Sequence, residues 1–269
     1  MKKIADYAQL GRKTRRDMID MVIAAGRGHV ASAFSLVEIL LVLYNEILRF
    51  DPKRHDWPDR DRLILSKGHG CLALYAILAD HGFFPREALK HYCAPKGILG
   101  GHPERHKVPG VEASTGALGH GLSIGVGMAL AAKRDGRDYR VFVVVGDGEC
   151  DEGSVWEAAL SASKHRLDNL TVLIDYNKQQ SYGDVAEVLP LEPFADKWRA
   201  FGFETGEADM KRPQELRDLL THVSAGPRAV ICHTIKGQGV SFMERNLHWH
   251  HKGKLTETEI INLFNELEI

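Results

Sequence analysis

VFVVVGDGECDEGSVWEAALSASKHRLDNLTVLIDYN, residues 141–177, is the stretch on which the fold turns. Residues 141–145 form an unbroken, largely β-branched apolar run of the length of a buried strand. The run stops at Gly146-Asp147-Gly148, where two glycines allow a tight turn and a close backbone approach to a ligand. Residues 152–166 are predicted helical, with Val155, Ala159, Ala162 and Ser163 on one face. A second apolar run, residues 170–174, leads into Asp175-Tyr176-Asn177. Such a strand–helix–strand unit presents ligands at the carboxyl ends of its parallel strands. Asp147 and Asn177 stand at two of those ends. Oxygen-bearing side chains there suit a hard cation such as Mg²⁺ or Ca²⁺, which usually takes the phosphate oxygens of a cofactor as well.

The spacing resembles the thiamine-diphosphate signature, which begins with GDG and closes on Asn about thirty residues later. The resemblance implies that Gly146, Asp147 and Gly148 lie at the cofactor diphosphate. Asp147 and Asn177 would be metal ligands, with the main-chain carbonyl of Gln179 as a further one. The expected fold is α/β, a parallel sheet with helices on both faces, as in a diphosphate-binding domain.

Working outward, the composition is that of an ordinary soluble globular chain, 44% hydrophobic and 26% charged. A formal net charge of -1 leaves no basic footprint for nucleic acid or an anionic membrane. No segment approaches a membrane-spanning length of uninterrupted apolar residues, and the start of the chain reads as no secretory signal. Cys71, Cys93, Cys150 and Cys232 have neither metal nor redox spacing, so a reducing cytoplasm is expected.

On the N-terminal side, residues 14–25 carry Met18, Ile19, Val22 and Ile23 at helical spacing and end at Gly26-Arg27-Gly28-His29. Ser35 is predicted to cap an apolar helix through Leu48, with Glu38 at its third position. Residues 50–62 are loop, 63–65 a short strand, and 71–81 a helix that follows Ser66-Lys67-Gly68-His69-Gly70. Here the resemblance narrows. LSKGHG (65–70), GRGHVAS (26–32), GGHPE (100–104) and ASTGALGHGLSIGVGMA (113–129) are similar to transketolase motifs, in the same order. They imply a role for Gly116 and Leu118 at the cofactor's aminopyrimidine ring and for His69 at its diphosphate. The glycines at 116, 119 and 121 remove side chains where a flat ring must meet backbone, and Gly125 and Gly127 point to close helix packing. His120 stands where that family commonly has Gln.

On the C-terminal side, residues 181–193 are loop-like, 194–201 and 209–224 helical, 229–233 a buried strand, and 257–267 a final helix. Asn246-Leu247-His248-Trp249-His250-His251 concentrates histidine, but a zinc site would need the Cys pair or HExxH that is missing. The cluster resembles the family's WHG tripeptide, with His250 matching its His and His251 replacing its Gly.

The transketolase reading implies transfer of a two-carbon ketol unit from a ketose to an aldose, sugars or sugar phosphates. His29, His69, His102 and His250 would bind hydroxyls or diphosphate and move protons, work that suits imidazole near neutral pH. All 269 residues are read as one diphosphate-binding domain. The pyrimidine-binding domain, with its glutamate, and the C-terminal domain are expected on a separate chain. The resemblance is thus to the N-terminal subunit of a split transketolase, working in a heterotetramer with two of each chain. Glu152 is either a buried carboxylate of a subunit contact, as in the family, or a solvated acid at a helix N-terminus. Half of another thiamine enzyme, deoxyxylulose-phosphate synthase-like or 2-oxo acid dehydrogenase-like, and a non-catalytic subunit that keeps the fold are the competing readings.

Overall fold

The computed structural model describes residues 6–250, 252 and 254–267; His251 lies outside them. Five strands, β1 (Arg62–Leu65), β2 (Val141–Gly146), β3 (Leu170–Tyr176), β4 (Glu204–Asp209) and β5 (Arg228–His233), pair in the order β1-β2-β3-β5-β4. All the pairings are parallel, so every connection must cross a face of the sheet, and helices fill those crossings. β2 is buried at every position and its side chains alternate between two cores. Val141, Val143 and Val145 pack with helices Gly121–Arg134 and Gly153–Lys164. Phe142 and Val144 pack on the opposite side with helices Tyr7–Ala25 and Cys71–Asp80. The expected α/β layering, with helices on both faces, is what the chain adopts.

Register places the functional ends level. Gly146 pairs with Asp175, and Asp175 with Cys232, so the turns after β2, β3 and β5 emerge side by side. Gly125 lets its helix close on the sheet, since a Cβ there would come 2.4 Å from Val143 Cγ2. Gly127 meets nothing within 4 Å and has no such role, contrary to the sequence expectation.

Other expectations are corrected as well. Ser35 does not cap a helix: helical structure already begins at Val30, and Ser35 Oγ donates to Asp175 Oδ2 at 2.7 Å, with the Ser32 carbonyl 3.2 Å away. Glu38 is buried and holds Arg15 through two bonds of 2.8 Å. Residues 204–209, unassigned in the sequence, form the edge strand β4, and the predicted 209–224 helix shortens to Gln214–Thr221. A short helix, Val185–Val188, interrupts the predicted 181–193 loop, and Ile23 is exposed rather than core. The run Val30–Ile47 is long and apolar enough to cross a membrane, but 89% of it is buried inside the fold.

Candidate functional site

The level ends of β2, β3 and β5 open into a cavity of about 110 Å³. Asp147 and Asn177 line it, together with Gly146, Gly148, Gln179, Leu118, His69 and His250. Six residues that the sequence did not single out line it too: Ser32, Lys67, Glu149, Gln180, Ser181 and Lys236.

Asp147 is buried, and its backbone N–H donates to the Asp175 carbonyl across the sheet (3.2 Å). Its carboxylate accepts from the N–H groups of Gly148 (2.8 Å) and Lys178 (2.5 Å). Burial, and then the negative charge of Asp175, push the Asp147 carboxyl up to about 7. Asn177 Oδ1 accepts from the Gln179 N–H at 3.1 Å, and its amide donates to Asp175 Oδ2 at 3.4 Å. The Gln179 carbonyl accepts from Lys236 Nζ at 3.1 Å. Lys236 also donates to His250 Nδ1, which leaves His250 Nε2 to pair with Ser181 Oγ at 3.0 Å. Burial, and then the Lys67 charge, push the Lys236 ammonium down to about 7.

The four predicted histidines are brought to one region, though not into one cavity. His69 and His250 line the cavity. The His29 ring stands edge-on to His69 with centroids 5.6 Å apart. Burial, followed by the charge of Lys67, holds the His69 imidazole well below its ordinary 6.5, so the ring is neutral at physiological pH. His102 is exposed and outside the cavity lining, with its carbonyl accepting from Tyr75 Oη at 2.8 Å. Its ring rests against Gly116, where a Cβ would come 2.9 Å from His102 Cδ2. Gly68 in turn abuts Thr115 and Gly116, so the second and third His loops meet through the glycine-rich segment. His120 is exposed and turns back onto the Leu118 carbonyl (2.9 Å) without lining the cavity. Glu152 is exposed in the single chain.

Glu149 fastens that segment to the GDG turn. Its buried carboxylate accepts from the N–H groups of Gly119 (2.9 Å) and Gly146 (3.0 Å) and from the Ser66 hydroxyl. Lys67, Glu149 and Lys236 left a sequence signal of one kind, an ionisable group directly after a buried strand or inside a glycine turn: SKGHG, GDGE and TIKGQG. Buried charges are rare unless paired or used, and that was the rule available to find them.

The donor set fits a metal-bridged diphosphate. Asp147 and Asn177 offer oxygens, and the Asp147 carboxyl is under-compensated in the way a dication would relieve. Lys67 and Lys236 offer buried positive charge to phosphate. Among the described residues no three His, Cys, Asp or Glu side chains converge as metal ligands, so the histidine cluster near 246–250 makes no zinc-type site there.

The family model described as "Transketolase, thiamine diphosphate binding domain" matches residues 8–268. The chain belongs to the transketolase family and carries its thiamine diphosphate-binding domain. It is 45% identical over 252 residues to one subunit of the apulose-4-phosphate transketolase of Actinobacillus succinogenes, covering 91% of each chain. It is 42% identical to a 6-deoxy-6-sulfo-D-fructose transketolase subunit of a Clostridium species, covering 90% of this chain and 89% of that one. The transketolase of Leishmania mexicana matches with a TM-score of 0.90 at 29% identity, covering 99% of this chain and 42% of its own. The chain thus spans about two fifths of the length of that solved transketolase.

Proposed function

We propose that this chain is the diphosphate-binding subunit of a two-chain, cytoplasmic transketolase that moves a two-carbon ketol unit from a ketose to an aldose. One observation carries the reading: the level ends of three parallel strands set Asp147, Asn177 and Gln179 around one cavity with Lys67, Lys236, His69 and His250. Thiamine diphosphate supplies the carbanion chemistry when bound. This chain's residues do the holding. Asp147, Asn177 and the Gln179 carbonyl would ligate Mg²⁺ or Ca²⁺, and Gly146, Gly148 and the two lysines would receive the diphosphate. Gly116 and Leu118 would face the aminopyrimidine ring. His69, neutral by burial, can donate or accept without a charged form, and His29 and His102 extend the same polar rim toward sugar hydroxyls. On this reading the whole chain is one diphosphate-binding domain.

Relatives that are themselves named as transketolase subunits support a partner chain. On this reading that partner brings the pyrimidine-binding domain and its glutamate, in an assembly of two of each. Those relatives' names favour a sugar phosphate or another anionic sugar as substrate. The test is calorimetric titration of thiamine diphosphate with Mg²⁺, first without and then with the partner chain. Binding that needs both metal and partner, and is abolished by Asp147→Ala, is expected. Tight, metal-independent binding to this chain alone would overturn the assignment.

A further inference from the structure

Asp175 belongs to none of the ligand sets above, yet it is 0% exposed in the middle of an apolar strand end. Four side chains converge on its carboxylate. Ser35 Oγ donates to Oδ2 at 2.7 Å and Lys67 Nζ at 2.5 Å. Thr234 Oγ1 donates to Oδ1, and Asn177 Nδ2 reaches Oδ2 at 3.4 Å. They come from four places: the turn after the first His loop, the second His loop, the end of β5 and the end of β3 itself. A buried ion pair is weak evidence for stability, because desolvation offsets much of its Coulombic gain. A well-packed apolar residue would serve the core as well, so the carboxylate calls for another explanation.

Asn177 provides one. An asparagine offers a cation its oxygen in only one of its two amide flips. The Asp175 carboxylate takes the NH₂ group, and the Gln179 N–H takes one lone pair of Oδ1. That fixes the flip, with the second lone pair of Oδ1 left for a cation. The same carboxylate aims the Lys67 ammonium into the wall of the cavity. We infer that Asp175 is a positioning residue that presents the Asn177 oxygen to the cation and sets Lys67 beside the diphosphate site. The inference rests on the cation and cofactor site proposed above.

Asp175→Asn keeps the shape and weakens the acceptor. In the assembled protein, with thiamine diphosphate in excess, Mg²⁺ is titrated and followed by tryptophan fluorescence. The apparent Kd for Mg²⁺ is expected to rise about 10- to 100-fold, the range for loss of an outer-shell partner. An affinity within about twofold of the unaltered protein, whatever happens to the melting temperature, overturns the inference and leaves Asp175 purely structural. Asp147→Ala separates the two failures. If it too leaves metal-dependent binding intact, the site itself is misplaced and the inference falls with it. Should Asp175→Asn fail to fold, side-chain ¹⁵N resonances of the unaltered protein decide. The Asn177 amide protons are expected to resist solvent exchange before and after Mg²⁺ and thiamine diphosphate are added, and exchange at the rate of an exposed asparagine overturns the inference.

Discussion

Arg15 and Glu38 meet in the apolar layer between helices Tyr7–Ala25 and Val37–Val42, joined by two parallel hydrogen bonds of 2.8 Å. Gln238 Nε2 adds a third bond to Glu38 at 3.1 Å. Removal of one member of a buried pair strands the other charge, so Glu38→Ala is expected to cost about 3–5 kcal/mol in urea unfolding. A loss below about 1 kcal/mol, the range of exposed pairs, would show that solvent reaches the pair. The pair was invisible in the sequence for a definite reason. Ser35 and Glu38 have capping-box spacing, whereas the true partners of Glu38 lie 23 and 200 residues away. His69 gives a prediction in pH. Its native form resists protonation while the unfolded chain takes a proton near 6.5, so unfolding is favoured as pH falls below that value toward the depressed native pKa. Relative to His69→Gln, the unaltered chain should lose up to about 1.4 kcal/mol of stability per pH unit in that window. Parallel urea midpoints at pH 7.5 and 5.5 would contradict this.

At the scale of elements, the helix Gly121–Arg134 shows what periodicity conveys and what it omits. Gly125 and Gly127 look alike in the sequence, two residues apart in one amphipathic pattern. Only Gly125 faces the sheet, where a Cβ would meet Val143 at 2.4 Å. Gly125→Ala should therefore destabilise by about 1–3 kcal/mol through overpacking. Gly127→Ala, with nothing within 4 Å, should stabilise by about 0.5–1 kcal/mol by lowering the entropy of the unfolded chain. Thermal melts of the two variants must move in opposite directions, and movement in the same direction refutes the helix orientation. Strands β2, β3 and β5 were legible because burial on both faces leaves near-continuous apolar runs. β4 reads ETGEAD, an edge strand half open to water, and its polar composition conceals it. The predicted ligands Asp147 and Asn177 were legible because they follow legible strands. Asp175 was not, because a carboxylate inside an apolar strand acquires meaning only from Ser35, Lys67 and Thr234, which the fold brings from far along the chain.

On the scale of the whole molecule, the loop after β3 carries a large exposed aromatic side chain directly beside a residue that lines the cavity. Tyr182 is 89% exposed and directly follows Ser181, the hydroxyl that pairs with His250. Leu189 and Leu247 are exposed as well. Isolated surface apolar residues are common, but a large exposed aromatic next in the chain to a cavity-lining residue fits the centre of an interface, where aromatic anchors dominate. On the two-chain reading, the partner chain covers this rim and closes the cofactor site. Tyr182→Ser is then expected to weaken assembly by about 2 kcal/mol, roughly 30-fold in Kd, as a hot-spot truncation does. The melting temperature of this chain alone should not change, since the Tyr182 side chain makes no hydrogen bond, ion pair or ring contact among the described residues. Sedimentation of the mixed chains at graded concentration reads the first quantity and a thermal melt the second. Unchanged assembly would place the partner on another face, such as the one that exposes Leu160 and Ile124. The cofactor site would then have to be closed by something other than the partner's main contact, and the shared-site argument would lose its structural basis.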